Sequence, residues 1–103
     1  MVASDIYRIS RQANADLGEI WRHTAETCSP AQAERYYDEL LKAFIRLAAF
    51  PAMGRAHTRS TPPVRIHPTR QHLVIYTEDA EGITILRILG AAQDWSVILS
   101  ALD

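Results

Sequence analysis

Arg87 stands in the setting that most directly calls for chemistry. It interrupts the run Ile83-Thr84-Ile85-Leu86-Arg87-Ile88-Leu89, where strand alternation puts it on one face with Ile83, Ile85 and Leu89. Burying an unpaired guanidinium is expensive. Arg87 must therefore pair with an acid, reach an edge, or stand in a concave site that receives a carboxylate or phosphate. Arg65 and His67 lie on the polar side of the alternating segment Val64-Arg65-Ile66-His67, and Arg70 and His72 follow at a turn. Packed as neighbouring strands, these segments would bring Arg65, Arg70, His72 and Arg87 to one side of a sheet. Such a group can neutralise phosphates or receive an acidic peptide. The alternative for each residue is an ordinary ion pair or a solvated charge.

Other chemistries find less support. No histidine sits in a metal-ligand spacing, and the single Cys28 rules out a multi-cysteine zinc site and an internal disulfide. Cys28 is expected to be a small buried hydrophobe on a helix. No Gly-x-Ser-x-Gly elbow is present, and the four glycines are scattered rather than gathered into a phosphate loop. No cofactor is implied.

The charge distribution is uneven. Between Glu39 and Glu78 there is no acid, while Lys42, Arg46, Arg55, Arg59, Arg65 and Arg70 lie in that interval with His57, His67 and His72. The net charge of −1 conceals this basic middle between acidic flanks. It suggests a surface for an anionic partner, either nucleic acid or an acidic protein segment.

The elements that must position these residues follow from the periodicity. Ile6-Tyr7-Arg8-Ile9 is rich in strand formers and ends at Ser10, a good helix N-cap. Ala13, Leu17, Ile20, Trp21, Thr24 and Cys28 then fall three or four apart, one stripe of a helix. Asp16, Glu19, Arg22 and Glu26 lie largely off it. Ser29-Pro30-Ala31-Gln32 restarts the helix as a capping box with Pro at N1. The second helix carries Ala33, Tyr36, Tyr37, Leu40, Leu41, Phe44, Leu47 and Ala48 and closes at Phe50-Pro51. So short a link makes an antiparallel helical hairpin. It is expected to pack on a sheet through Leu17, Ile20, Trp21, Leu40, Phe44 and Leu47.

Residues 51–63 hold Pro51, Gly54, Pro62 and Pro63 without a period and read as a loop. Three strands follow: Val64–His67, His72–Thr77 and Ile83–Leu89, joined by short turns. The latter two are apolar on both faces and belong inside a sheet. A short terminal helix starts at Asp94, with Trp95, Ile98, Leu99 and Leu102 on its apolar side. The expected class is α+β in the order β-α-α-β-β-β-α, one domain over residues 1–103. A chain of 103 residues, 48% hydrophobic and 22% charged, can bury a core. No apolar run reaches the ~18 residues of a membrane span, and the N-terminus does not begin a signal peptide, which points to a cytosolic protein.

The residues in this order resemble the ParE-like toxins of the RelE/ParE superfamily, toxin halves of bacterial type II toxin–antitoxin pairs. The resemblance rests on Tyr7-Arg8-Ile9-Ser10, Ala13-Asn14-Ala15-Asp16-Leu17 with Ile20-Trp21, and Ala33-Glu34-Arg35-Tyr36 with Leu40. It continues through Leu47-Ala48-Ala49-Phe50-Pro51-Ala52-Met53-Gly54-Arg55, Val64-Arg65, His72-Leu73-Val74-Ile75-Tyr76 and Ile85-Leu86-Arg87-Ile88-Leu89. It implies a helical hairpin on a small curled sheet, and a cognate ParD-like antitoxin whose C-terminal segment wraps the toxin in a hetero-oligomer. Arg55, Arg65, Arg70 and Arg87 are the residues expected to meet that partner. No sequence-specific DNA binding by this chain alone is implied.

The superfamily divides by mechanism. RelE-like members are ribosome-dependent mRNA endonucleases that use basic residues and a His or Tyr near the chain end. ParE-like members instead poison DNA gyrase by protein contact. Arg65 and Arg87 match basic strand positions of both branches, but no His or Tyr follows Tyr76. Arginine stays protonated and cannot act as a base, so a nuclease would depend on His72 with Arg65 and Arg87. The reading favoured is a non-enzymatic gyrase inhibitor. Gly90-Ala91-Ala92-Gln93 departs from the His-Gly and basic pair common at this point in ParE-like chains. An mRNA endonuclease and a detoxified member that only binds its antitoxin therefore stay open as alternatives.

Overall fold

A computed structural model describes residues 7–93 of the chain. Strand β1 (Tyr7–Ile9) leads into helix α1 (Arg11–Thr27) through Ser10, whose hydroxyl accepts the Ala13 N–H as an N-cap. Ser29 caps helix α2 (Pro30–Ala49) in the same way through the Gln32 N–H, with Pro30 in the first turn. Only half of the expected capping box forms, because the Gln32 side chain accepts from Arg35 at 2.6 Å. A single 3-10 turn (Pro51–Met53) leads to β2 (Arg55–His57), followed by β3 (Val64–Thr69), β4 (His72–Asp79) and β5 (Gly82–Gly90).

The strands form one mixed sheet in the order β1-β5-β4-β3-β2, with β1 parallel to β5 and all other pairs antiparallel. The α+β class, the initial strand, the helical hairpin and the three-strand meander match the expectation. Strand β2 was not expected. It lies within the segment read as a loop, and three residues are too short to display an alternation. The expected helix from Asp94 lies outside the described residues.

The hairpin packs its apolar stripe on one face of the sheet. Ala13, Leu17, Leu40, Phe44 and Leu47 join Val74, Tyr76, Ile83, Ile85 and Ile88 in the main core. Val64, Ile66, Ile75 and Leu89 form a second cluster with Leu73 and Leu86. Residues of β4 thus divide between the two clusters by parity, as a strand apolar on both faces requires. No helix among the described residues is long and apolar enough to cross a membrane.

Two expected core residues are elsewhere. Trp21 is only partly buried and donates its indole N–H to Glu34 at 3.0 Å across the hairpin. Cys28 is exposed just past the end of α1, well beyond Leu17, the last buried residue of that helix. Both sit at the end of the stripe nearer the interhelical link.

The core assignment has a measurable consequence. Phe44 is fully buried and touches Tyr7 edge to face, with ring centroids 5.7 Å apart. Phe44→Ala should cost roughly 3–5 kcal/mol in urea unfolding. Trp21→Ala should cost less, about 1–2 kcal/mol, because its loss leaves a solvated rim rather than a cavity. Equal losses would place Trp21 in the core after all.

Candidate functional site

The register of β5 determines where Arg87 goes. Ile75 pairs with Arg87, but its neighbour Tyr76 pairs with Ile85, so Leu86 is an extra residue in a β-bulge. The alternation is thereby broken. Ile83 and Ile85 share the main core with Ile88, whereas Leu86 and Leu89 join the second cluster. Arg87 is therefore not in a row with Ile83, Ile85 and Leu89 as alternation predicts.

Beyond Ile85, strand β5 has no partner from β1, and α1 covers that edge instead. The Ser10 hydroxyl donates to the Leu86 carbonyl at 2.8 Å. Asp16 accepts three hydrogen bonds: from Arg87 Nε at 2.8 Å, from Arg87 Nη2 at 3.0 Å, and from the Ile88 backbone N–H at 2.9 Å. The Asp16 and Arg87 side chains are only 15% and 20% exposed, so the pair is held largely away from water. Its hydrogen bond to Asp16 raises the Arg87 pKa, against the opposing effect of burial. The guanidinium in the apolar run is resolved as an ion pair. Asp16 is the residue that sequence reasoning missed: it lies off the stripe, and only the tertiary register turns it toward the sheet edge.

Arg70 and Gln71 form the two-residue turn between β3 and β4, with Arg70 at φ 54°. Such a hairpin demands the left-handed region, a strained setting for arginine. A bidentate ion pair with Glu39 of α2, including Nη2 to Oε2 at 3.2 Å, anchors it there. Arg65 donates to the Gly54 carbonyl at 2.9 Å and lies 3.6 Å from Glu78. Beside it the buried Tyr76 hydroxyl donates to the Pro51 carbonyl at 2.6 Å and accepts the Gly54 N–H at 2.9 Å. A side chain at position 54 would collide with that hydroxyl, which explains the glycine. Arg55 is exposed and has no ion pair among the described residues.

His72 faces α2. Its Nδ1 lies 2.6 Å from the Tyr36 hydroxyl, which also lies 3.2 Å from the Thr69 carbonyl. Burial lowers the His72 pKa, partly opposed by the Asp16 carboxylate and reinforced by His23. Burial likewise raises the Tyr36 pKa. Both groups are consequently neutral near neutral pH. Arg70 and His72 line a cleft of about 870 Å³ with Ile20, His23, Thr24 and Tyr36; Asp16 and Arg87 do not line it, although the Asp16 charge reaches His72. Arg65 and Arg55 belong to the opposite end of β3. The expected convergence is thus partial: Arg70 and His72 share one cleft, Arg87 is held by Asp16 outside its lining, and Arg65 lies at the opposite end of β3.

Neutral His72 can accept a proton. The arginines around it already have carboxylate partners, so little uncompensated positive charge faces that cleft. Among the described residues no group of three His, Cys, Asp or Glu side chains could hold a metal ion.

Comparison with known proteins adds a second line. Residues 7–95 match the family model described as the ParE toxin of the type II toxin–antitoxin system, parDE. The chain is 37% identical over 92 residues to Toxin ParE1 of Mycobacterium tuberculosis, covering 88% of this chain and 94% of that protein. It is 30% identical over 80 residues to Toxin ParE3 of Caulobacter vibrioides, covering 78% and 80%. Its fold is similar to a solved chain titled "Chromosomal ParDE TA system from P. aeruginosa", with TM-score 0.72 and 21% identity, covering 86% of this chain and 98% of that one.

Two outcomes test this geometry. Asp16→Ala should destabilise the fold by roughly 2–3 kcal/mol, since Arg87 and the Ile88 N–H lose their common acceptor. Adding Arg87→Met should recover part of that loss, and no recovery would remove the charge of Arg87 as the cause. The His67 and His72 pKa values are both lowered from 6.5, with burial the leading cause in each. The unfolded chain therefore takes up these protons before the folded one as pH falls. Stability should be greatest above about pH 6.5 and decline as pH drops toward the folded-state values. Urea midpoints measured from about pH 7.5 to about 5.5 should fall, less so in His72→Gln.

Proposed function

The chain belongs to the ParE toxin family and is the toxin component of a type II toxin–antitoxin system, and from that premise we propose that it is a non-enzymatic inhibitor of DNA gyrase. A cognate antitoxin is its partner, and residues 1–103 act as a single toxin unit in the cytoplasm. The carrying observation is the commitment of the arginines. Arg87 is clasped by Asp16 and Arg70 by Glu39, while Arg65 is tied to Gly54 and Glu78. Phosphodiester cleavage needs free positive charge beside a base to offset the charge that develops on phosphate. At Arg65, Arg70 and Arg87, the basic residues that would serve His72, that charge is already paired, and no His or Tyr follows Tyr76. Inhibition through contact requires only a surface.

The antitoxin is expected to be ParD-like and to engage the basic middle of the chain. Arg55 offers a free guanidinium to an acidic segment of it, and Arg65, Arg70 and Arg87 contribute through the surfaces their ion pairs hold in place. One observation favours a second reading, a ribosome-dependent mRNA endonuclease: the neutral His72 beside Tyr36 in an open cleft.

Purified toxin should inhibit gyrase-driven supercoiling and leave ribosome-bound mRNA uncut, and His72→Ala should inhibit gyrase as the parent does. Ribosome-dependent cleavage by the parent, lost in His72→Ala, would replace the gyrase reading with the nuclease. Inactivity in both assays with antitoxin binding intact would leave a member that only binds its antitoxin. Arg55→Glu should weaken antitoxin binding by about tenfold or more and reduce its salt dependence.

A further inference from the structure

The groove between α2 and β3 is lined mainly by basic side chains. It encloses about 320 Å³ and is lined by Glu39, Lys42, Arg46, His67, Thr69 and Arg70, together with Pro68. Its one carboxylate, Glu39, is already neutralised by Arg70. Lys42 and Arg46, like Arg55 and Arg59, have no ion pair among the described residues, but only these two share one groove. They stand one helical turn apart on α2, a spacing at which like charges repel. Arg46 gains from the helix C-terminus, but Lys42 lies too far from it to share that benefit.

Across the groove, His67 feels the Arg46 charge, and the Thr69 hydroxyl is buried without a hydrogen-bond partner. Two uncompensated cations, an imidazole and an unsatisfied hydroxyl therefore line one small concavity. A bound anion would relieve the repulsion, and rotation of the Thr69 side chain about χ1 would turn its buried hydroxyl out toward the same anion.

We propose that this groove is a phosphate-binding site, in which Lys42 and Arg46 supply charge and His67 and Thr69 supply hydrogen bonds. A carboxylate has two oxygens for these four groups. A phosphate presents more acceptors in a tetrahedral array and is the better match. The site differs from the His72 cleft and from Arg55, and it stands whether or not gyrase is the target. The phosphate can belong to a nucleic-acid backbone or to a small free anion.

His67 couples the site to pH. It is faced by Lys42, Arg46 and Glu39 of α2, by Arg70 of the hairpin turn and by the Met53 backbone, with which it hydrogen-bonds. A protonated His67 donates to the anion, and because burial and the Arg46 charge lower its pKa this gain appears only below the ordinary histidine range; it is read with the oligonucleotide, whose phosphodiesters keep their charge there.

The test is an NMR titration of the full chain at constant ionic strength with inorganic phosphate, and separately with a short single-stranded oligonucleotide. Saturable shifts should centre on the His67 ring and the Thr69 amide. Lys42→Ala with Arg46→Ala should weaken binding by about tenfold or more, as loss of two charge-assisted contacts predicts. Both side chains are exposed, so the fold should survive, and a retained amide spectrum checks this. Arg59→Ala, an exposed control on the loop before β3, should change nothing. Tighter binding of the oligonucleotide on the same residues would assign the site to a nucleic-acid backbone, and equal binding to a free anion. Shifts spread over Arg55 and Arg59, an equal loss in Arg59→Ala, or no saturable shift would each overturn the proposal.

Discussion

Three hydrogen bonds to one carboxylate fasten α1 to the edge of β5 and set how the apolar hairpin seats on the sheet. Asp16 accepts both edges of the Arg87 guanidinium and the Ile88 N–H, at the point where β5 outruns β1. An open strand edge carries unpaired backbone donors, and a charged side chain beside it needs a counter-charge. Asp16 meets both needs from one position on α1. The bulge at Leu86 makes this possible by resetting the alternation between Ile85 and Arg87. It also sends Ile88 to the main core and Leu89 to the second cluster, so both faces stay apolar across the break. Removing the extra residue would shift Arg87 by one position and exchange the faces of everything after it.

The basic middle of the chain then divides in two. Arg65 and Arg70 serve the fold: one ties the segment after α2 to the sheet, and the other anchors a strained hairpin turn. Lys42, Arg46, Arg55 and Arg59 have no such ion pair among the described residues. A count of charges along the sequence treats the two groups alike. They differ because acids distant in sequence, Glu39 and Glu78, are returned to the arginines by the hairpin and the meander. Electrostatic attraction for a partner should arise from the second group, since paired charges present little net field.

How much of this was legible follows from the range over which each feature acts. Ser10 and Ser29 cap helices within three residues of themselves, and the stripes of α1 and α2 repeat several times, so the hairpin could be read directly. The two-sided strands β4 and β5 were legible because their apolar runs are long. Strand β2 and the bulge were not: one is too short to have a period, and the other is a single residue in an apolar run where any parity looks acceptable. The acid awaiting Arg87 could be anticipated as a need, but its identity depended on a contact 71 residues away in sequence. Trp21 and Cys28 satisfied the helical spacing yet lie beyond Leu17, the last buried residue of α1, a boundary that periodicity does not mark.

The same division explains why membership of a family leaves the target to be determined. Arg65 and Arg87 are the arginines on which a functional reading of the sequence leans most, and in this chain both are tied into the scaffold. A basic residue can be retained at such a position for the bulge, the edge and the segment it secures, with no part in contacting a target. The likeness in fold then transmits the helical hairpin and the sheet but not the chemistry performed on them. Discrimination must come from side chains the scaffold leaves free and from groups that titrate near neutrality. Here these are the unpaired cations of α2 and β2 and the neutral His72–Tyr36 pair. The first suit binding to an anionic partner, and the second is a proton acceptor whose neighbouring arginines, Arg70 and Arg87, are already paired with Glu39 and Asp16.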